Sequence, residues 1–265
     1  MNFLKRIYED YFKKNRLSQY KKLLIYAKSK GYKMVGIYDF YSLISKGFFP
    51  DSHNKIIISR HDIDTSPRVA RMMFEIEKSV YGDDGTSTFY FRDSTVDVTL
   101  IHDIENCSYE TGYHYEEIAT FEKKNKLKNK DSLIECFDVF RKMFLKDLSN
   151  FRKKTGSKSL TVASHGDFIN TKYQLQNYEF LNDTNTRAEA GIAVEAYDEC
   201  VNRYIKERFA DHKLLELFES KVNEAIEKSC DCILILTHPR NWKVDFFANT
   251  KDNFSRLIQG LKYWL

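Results

Sequence analysis

Four short apolar runs in this chain are each followed at once by side chains that can move protons or hold a cation. Ile56–Ser59 leads into Arg60-His61-Asp62-Ile63-Asp64, and Gly112-Tyr113 leads into His114-Tyr115-Glu116-Glu117. Leu160–Ser164 leads into His165-Gly166-Asp167, and Ile233–Thr237 leads into His238-Pro239-Arg240-Asn241-Trp242. If extended backbone continues past Ser59, then Arg60, Asp62 and Asp64 point to one side, the carboxylates about 6–7 Å apart along the chain. Carboxylates so placed repel unless a cation or guanidinium lies between them or one keeps its proton. A metal ion is one solution. The competing reading makes Asp62 or Asp64 the cap of a helix starting near Ser66-Pro67, since Asp, Ser and an N1 proline are helix-start residues. Capping accounts for one carboxylate and leaves the rest of the group unexplained.

The elements that must position these groups are set by the hydrophobic pattern. Apolar runs at Ile56–Ser59, Ser87–Phe91, Gly112–Tyr115, Leu160–Ser164, Ile192–Ala196 and Ile233–Thr237 read as strands. Amphipathic segments such as Ser66–Ser79, Asp131–Thr155 and Asp211–Ser229 lie between them and read as helices. Repeated β-α units give a mostly parallel sheet, either a barrel or a doubly wound sheet, with chemistry at the carboxyl ends of the strands. Residues 2–30 carry apolar side chains at helical spacing and predict two helices leading into a strand at Lys33–Ile37. The polar run Glu122–Asp131 reads as a solvated loop or helix end.

Composition removes several functional classes. The chain has 265 residues, 15% aromatic content, 10 Gly and 3 Pro, which excludes a disordered or collagen-like chain. A net charge of +4 from 42 basic and 38 acidic residues, with no basic tract, argues against a dedicated nucleic-acid binder. Five cysteines without a Cys-x-x-Cys pair argue against a disulfide framework or zinc knuckle and point to reduced thiols. No window approaches a membrane span, and the first residues do not read as a signal peptide, so a cytoplasmic location is expected. The basic amphipathic start, with Lys5, Arg6, Lys13, Lys14 and Arg16, leaves peripheral contact with a membrane surface open.

Taken in order, Ser59–Asp64, Ser87–Arg92, Gly112–Glu116, Ser164-His165-Gly166 and Thr237–Trp242 resemble the motifs of the polysaccharide deacetylase superfamily. That superfamily includes the family-four carbohydrate esterases and chitooligosaccharide deacetylases, and the resemblance is nearest to bacterial members tied to surface-polysaccharide synthesis. It implies one domain over residues 1–265, a distorted (β/α) barrel of seven strands, with residues 1–30 as a helical extension packed on it. It also implies a divalent metal, zinc as a rule. By the resemblance Asp62 is the general base, Asp64 and His114 are metal ligands, and His238 is the general acid. The reaction would be hydrolysis of an N-acetyl or similar N-acyl group on an amino sugar, nucleotide-linked or lipid-linked.

The chain departs from that pattern at position 118, where Ile replaces a second metal-motif histidine. Glu116, Glu117 or His165 could fill the vacancy, and His165 is preferred because it ends an apolar run and precedes a glycine. Arg60, Arg92, Glu116, Arg240 and Trp242 are the candidate substrate-binding residues, the arginines for an anionic group and Trp242 for a sugar ring. Tyr113 and Tyr115 are weaker stacking candidates, and Glu195–Asp198 is a candidate wall of the same mouth. His53, His102 and His212 are given no role. The alternative to an enzyme is an altered or inactive barrel that binds carbohydrate or docks in a glycan-synthesis complex.

Overall fold

The computed structural model describes residues 3–127, 129–211 and 215–264. Met1 and Asn2 of the expected extension, Lys128 of the polar run and His212 lie outside the described residues. Eight strands form one parallel sheet: β1 (Lys33–Val35), β2 (Ile56–Ile63), β3 (Thr88–Phe91), β4 (Glu110–Tyr115), β5 (Thr161–Ser164), β6 (Val194–Glu195), β7 (Glu207–Ala210) and β8 (Cys232–Thr237). The order is β6-β5-β4-β3-β2-β8-β7, and β1 pairs with the first residues of β2 on the side where β3 takes over further along. Seven strands therefore run across a curled half-barrel, wrapped by helices, and among the described residues β6 and β7 are its two free edges. This is the distorted (β/α) barrel that the resemblance implied, and the barrel rather than the doubly wound sheet of the two architectures left open by the runs and helices.

Alternation along each strand divides the side chains between two cores. Ile56, Ile58, Tyr90, Ala163, Val194, Leu234 and Leu236 cluster inside the curl. Ile57, Phe89, Phe91, Tyr113, Tyr115, Val162, Ile233 and Ile235 face the helices outside. Both faces of β2 are buried along its whole length, which is why its sequence reads as an unbroken apolar run at the start. Continuing the inner parity beyond Ile58 gives Arg60, Asp62 and Asp64, and the same step gives Arg92 after Tyr90 and His165 after Ala163. The polar groups at the strand ends are thus aimed inward by the periodicity that packs the core.

The helices are built on the expected stripes. Helix Pro67–Tyr81 starts with Pro at its first turn and buries Val69, Ala70, Met73, Phe74 and Tyr81, spaced for one face. Helix Phe137–Thr155 buries Phe140, Phe144, Leu148 and Phe151 and stops at Gly156, whose φ of 73° suits a residue without a Cβ. Burying such side chains contributes roughly 1.5–3 kcal/mol each. The two N-terminal helices are Phe3–Tyr11 and Leu17–Ser29, and the second packs Tyr20, Leu23, Leu24 and Ala27 into the outer core.

Several boundaries differ from the sequence reading. Strand β2 runs on through Ile63, carrying Arg60 and Asp62 inside the ladder rather than in a following loop. The helix after it takes Ser66 as N-cap, in a left-handed conformation and with no side-chain capping bond. Strand β7 was not foreseen, because an edge strand with Glu207 and Arg208 exposed shows no apolar run. The polar run at 122–131 is only partly solvated: Glu122 is buried and accepts hydrogen bonds from Tyr173 (2.6 Å) and Tyr263 (2.8 Å).

Candidate active site

The inward-facing polar groups of β2, β4, β5 and β8 meet at the carboxyl end of the sheet. Arg60 and Asp62, two residues apart on one face of β2, form a two-pronged ion pair, Nε to Oδ1 at 2.8 Å and Nη2 to Oδ2 at 2.9 Å. The guanidinium is itself held between the rings of Tyr90 (5.2 Å) and Tyr197 (4.7 Å). Gly112 makes room for this stack, since a Cβ there would stand 2.6 Å from both the Tyr90 ring and the Thr161 carbonyl. Burial alone would raise the Asp62 carboxyl, but the Arg60 charge and then His114 bring it below the usual carboxylate range.

Asp64 lies one step beyond Asp62. Its Oδ1 is 3.4 Å from His114 Nε2 and 3.4 Å from His165 Nε2, and it is buried without a hydrogen bond. Both histidines are turned by their second nitrogens. His114 Nδ1 donates to the Ala163 carbonyl at 2.8 Å, which turns Nε2 towards Asp62 and Asp64. His165 Nδ1 stands 3.0 Å from Glu116 Oε2, and Arg92 Nη2 donates to Glu116 Oε1 at 2.6 Å. Burial opposes the charge on Asp64, yet His165 and His114 hold its carboxyl well below the ordinary range. Burial likewise disfavours charge on His165, and Asp64 and Glu116 push it up to about 9.

The third element is His238, just past β8. Asp211, one residue past β7 and buried, lies with Oδ1 2.7 Å from His238 Nδ1, and its Oδ2 accepts from the His238 backbone at 2.8 Å. Trp242 Nε1 donates to the same carboxylate at 2.9 Å. Burial lowers His238, but Asp211, with Asp64 and Asp62 behind it, pushes it up to about 9. Asp211 escaped the sequence reading because the strand before it carries no apolar run. Its position one residue past a strand end was the only available signal.

The structure brings Asp64, His114, His165, Arg92 and Glu116 to the wall of one cavity of about 980 Å³. It does not bring the remaining substrate-binding candidates there. Trp242 is fully buried between Tyr20 and Phe218, so no sugar can stack on it. Arg240 ties the chain ends together through Asp10 (2.7 Å) and Asp252 (2.8 Å). Arg60 is buried and saturated by Asp62, which leaves it no anion to bind outside the barrel. Tyr115 packs outward on Phe144, whereas Tyr113 packs on Phe144 and also reaches the cavity wall. Of the 195–198 segment, Tyr197 touches the site, through Arg60.

The fold and the site together define a half-open (β/α) barrel with a buried carboxylate–histidine cluster at the carboxyl ends of its strands. No family model matches this chain, and no curated protein matches it. Among solved structures the chain is similar to a mutant form of the peptidoglycan deacetylase PdaC from Bacillus subtilis, with 10% identity over 80% of this chain and 98% of that one. The TM-score is 0.31, a likeness on which neither fold nor activity is argued.

Proposed function

We propose that this protein is a metal-dependent hydrolase that removes an N-acetyl or similar N-acyl group from an amino sugar. Asp64, His114 and His165 would hold the metal, Asp62 would be the base and His238 the acid. The observation that carries this reading is Asp64 Oδ1, buried without a hydrogen bond and 3.4 Å from two imidazole Nε2 atoms. Donors about 2.0–2.1 Å from a tetrahedral zinc stand roughly 3.3–3.4 Å from one another. Among the described residues no group of three or more His, Cys, Asp or Glu side chains stands already arranged to hold a metal ion, so Asp64, His114 and His165 would have to draw together around it. One oxygen and two nitrogens that leave further positions open suit a catalytic ion better than a structural one. The His114 bond to the Ala163 carbonyl is the outer support that metal-binding histidines use.

A divalent ion held there supplies Lewis-acid polarisation of the acyl oxygen and of the attacking water. The proton transfers fall to the chain. Asp62, kept ionised by Arg60, suits the group that accepts the proton of the water. His238, pushed up to about 9, is protonated at neutral pH and suits the group that donates to the amine nitrogen as its bond to carbon breaks. Arg92 and Glu116 at the cavity wall would orient the sugar, while the burial of Arg60 and Arg240 reduces the case for a strongly anionic substrate. Surface-polysaccharide or glycoconjugate biosynthesis in the cytoplasm is the setting this reading proposes.

Elemental analysis of the purified protein beside folded Asp64→Ala and His114→Ala variants tests it. Near-stoichiometric zinc lost by both variants, with acetate released from an N-acetylated amino-sugar panel, is the expected result. No metal after incubation with zinc, manganese and cobalt would overturn it.

A further inference from the structure

Helix Phe246–Trp264 has two faces with different tasks. Asp252, Ser255, Arg256 and Gln259 line the cavity, and Asn249 is buried against the N-terminal helix, its Nδ2 donating to the Asp10 carbonyl at 2.8 Å. The opposite face carries Phe247, Phe254, Ile258 and Leu261, spaced to form one stripe, and all are exposed, Phe247 at 84%. Helix Phe3–Tyr11 lies alongside, fixed by the Arg240–Asp10 pair and by the Tyr11–Phe246 ring contact at 5.2 Å. It adds Tyr8 and, just beyond its end, Phe12. Eight of the sixteen large apolar side chains exposed on the described residues belong to these two short segments, a concentration that marks an interaction surface.

Charge decides what covers it. Residues 3–16 and 246–264 together contain eight Lys and Arg against three Asp and Glu, a net charge of +5. The whole chain carries +4, so everything else sums to −1. Asp10 and Asp252 pair with Arg240, Asp252 also with Arg256, and Glu9 pairs with Lys13. Lys14 and Lys251 are exposed, Lys251 at the wall of the cavity. An apolar, aromatic stripe within a basic part of the chain fits a layer with acyl chains beneath anionic headgroups. A self-complementary dimer would instead bring +5 against +5.

We infer that the paired terminal helices dock this protein on the surface of an anionic lipid bilayer. The docking is peripheral, because no helix of the described residues is long and apolar enough to cross a membrane. It places a wall of the cavity at the headgroup level, since the same helix serves both. The inference does not depend on hydrolysis.

Co-sedimentation of the full chain with phosphatidylcholine vesicles, with and without phosphatidylglycerol, tests it. Binding is expected to the mixed vesicles and to be much weaker on phosphatidylcholine alone. A Phe247→Ser/Phe254→Ser/Leu261→Ser variant should lose at least about tenfold in partitioning. Lys14→Gln and Lys251→Gln, which spare the apolar stripe, should each cost about fivefold. No binding by the folded parent, or binding indifferent to both sets of variants, would overturn the inference. So would a dimer in sedimentation velocity that the triple variant dissolves while vesicles stay unbound.

Discussion

Asp211 grips His238 at two points, with Oδ1 2.7 Å from the imidazole Nδ1 and Oδ2 accepting from the His238 backbone at 2.8 Å. This fixes the ring through Nδ1, and the carboxylate raises the imidazole to about 9. An acid must be protonated to act, so activity should fall as pH rises through about 9. Asp211→Asn keeps the shape and removes the charge, which moves the alkaline limb of kcat towards neutral pH. A pH–rate profile that does not move would detach His238 from the acid role.

Trp242→Phe separates two views of the tryptophan. The phenyl ring keeps the packing on Tyr20 and Phe218 but loses the 2.9 Å bond to Asp211. KM should stay near the parent value while kcat falls, and any shift of its alkaline limb is away from neutral pH, since the Asp211 carboxylate loses a donor and holds the His238 proton more tightly. A raised KM with unchanged kcat would restore the stacking role that burial denies.

Arg60→Met tests the buried ion pair. It leaves Asp62 as an unpaired buried carboxylate, which should cost about 3–5 kcal/mol in urea unfolding. The Asp62 pKa should rise, moving the acidic limb of activity to higher pH. Arg60→Met/Asp62→Leu should recover most of the lost stability and none of the activity. If the double variant were as unstable as the single one, the pair would not be the reason for the loss.

Glu117, buried beside β4, has its carboxyl pushed up to about 8 by burial, with Asp147 and Glu116 adding to the effect. A folded pKa above the unfolded value means the folded chain holds a proton that the unfolded chain has released. Its contribution is complete below the unfolded pKa and is lost as pH rises through about 8. Glu117→Gln should therefore gain stability relative to the parent, by about 2 kcal/mol or more between about pH 5 and pH 8. Parallel denaturant titrations at the two pH values would show it, and equal differences at both would contradict it.

The strand ends were legible because a buried parallel strand writes a continuous apolar run, and the residues just beyond its carboxyl end must face the mouth of the sheet. That rule brings Asp62, Asp64, His114 and His165 into one cluster, with His238 near enough for the charges of Asp64 and Asp62 to act on it. It fails for Trp242 and Arg240, because a side chain after a strand end turns either inward to the mouth or back onto the helices, and type alone does not say which. Their partners, Asp211 and Asp10, lie 31 and 230 residues away in the chain. It also misses Asp211, since β7 is a half-exposed edge strand and alternates too weakly to be seen. The buried His61–Glu77 contact at 2.8 Å lies on the outer face of β2, one residue out of phase with the site, and parity alone separates it from Asp62.

The two free edges of the sheet bear on the site from opposite flanks. Beyond β6, Tyr197 backs the Arg60 guanidinium and through it Asp62; beyond β7, Asp211 backs His238. The proposed base and acid are therefore buttressed by different margins of an unclosed seam, with no backbone ladder joining them among the described residues. A substitution that loosens one margin can detune one partner and leave the other in place, which a fully closed barrel would not allow.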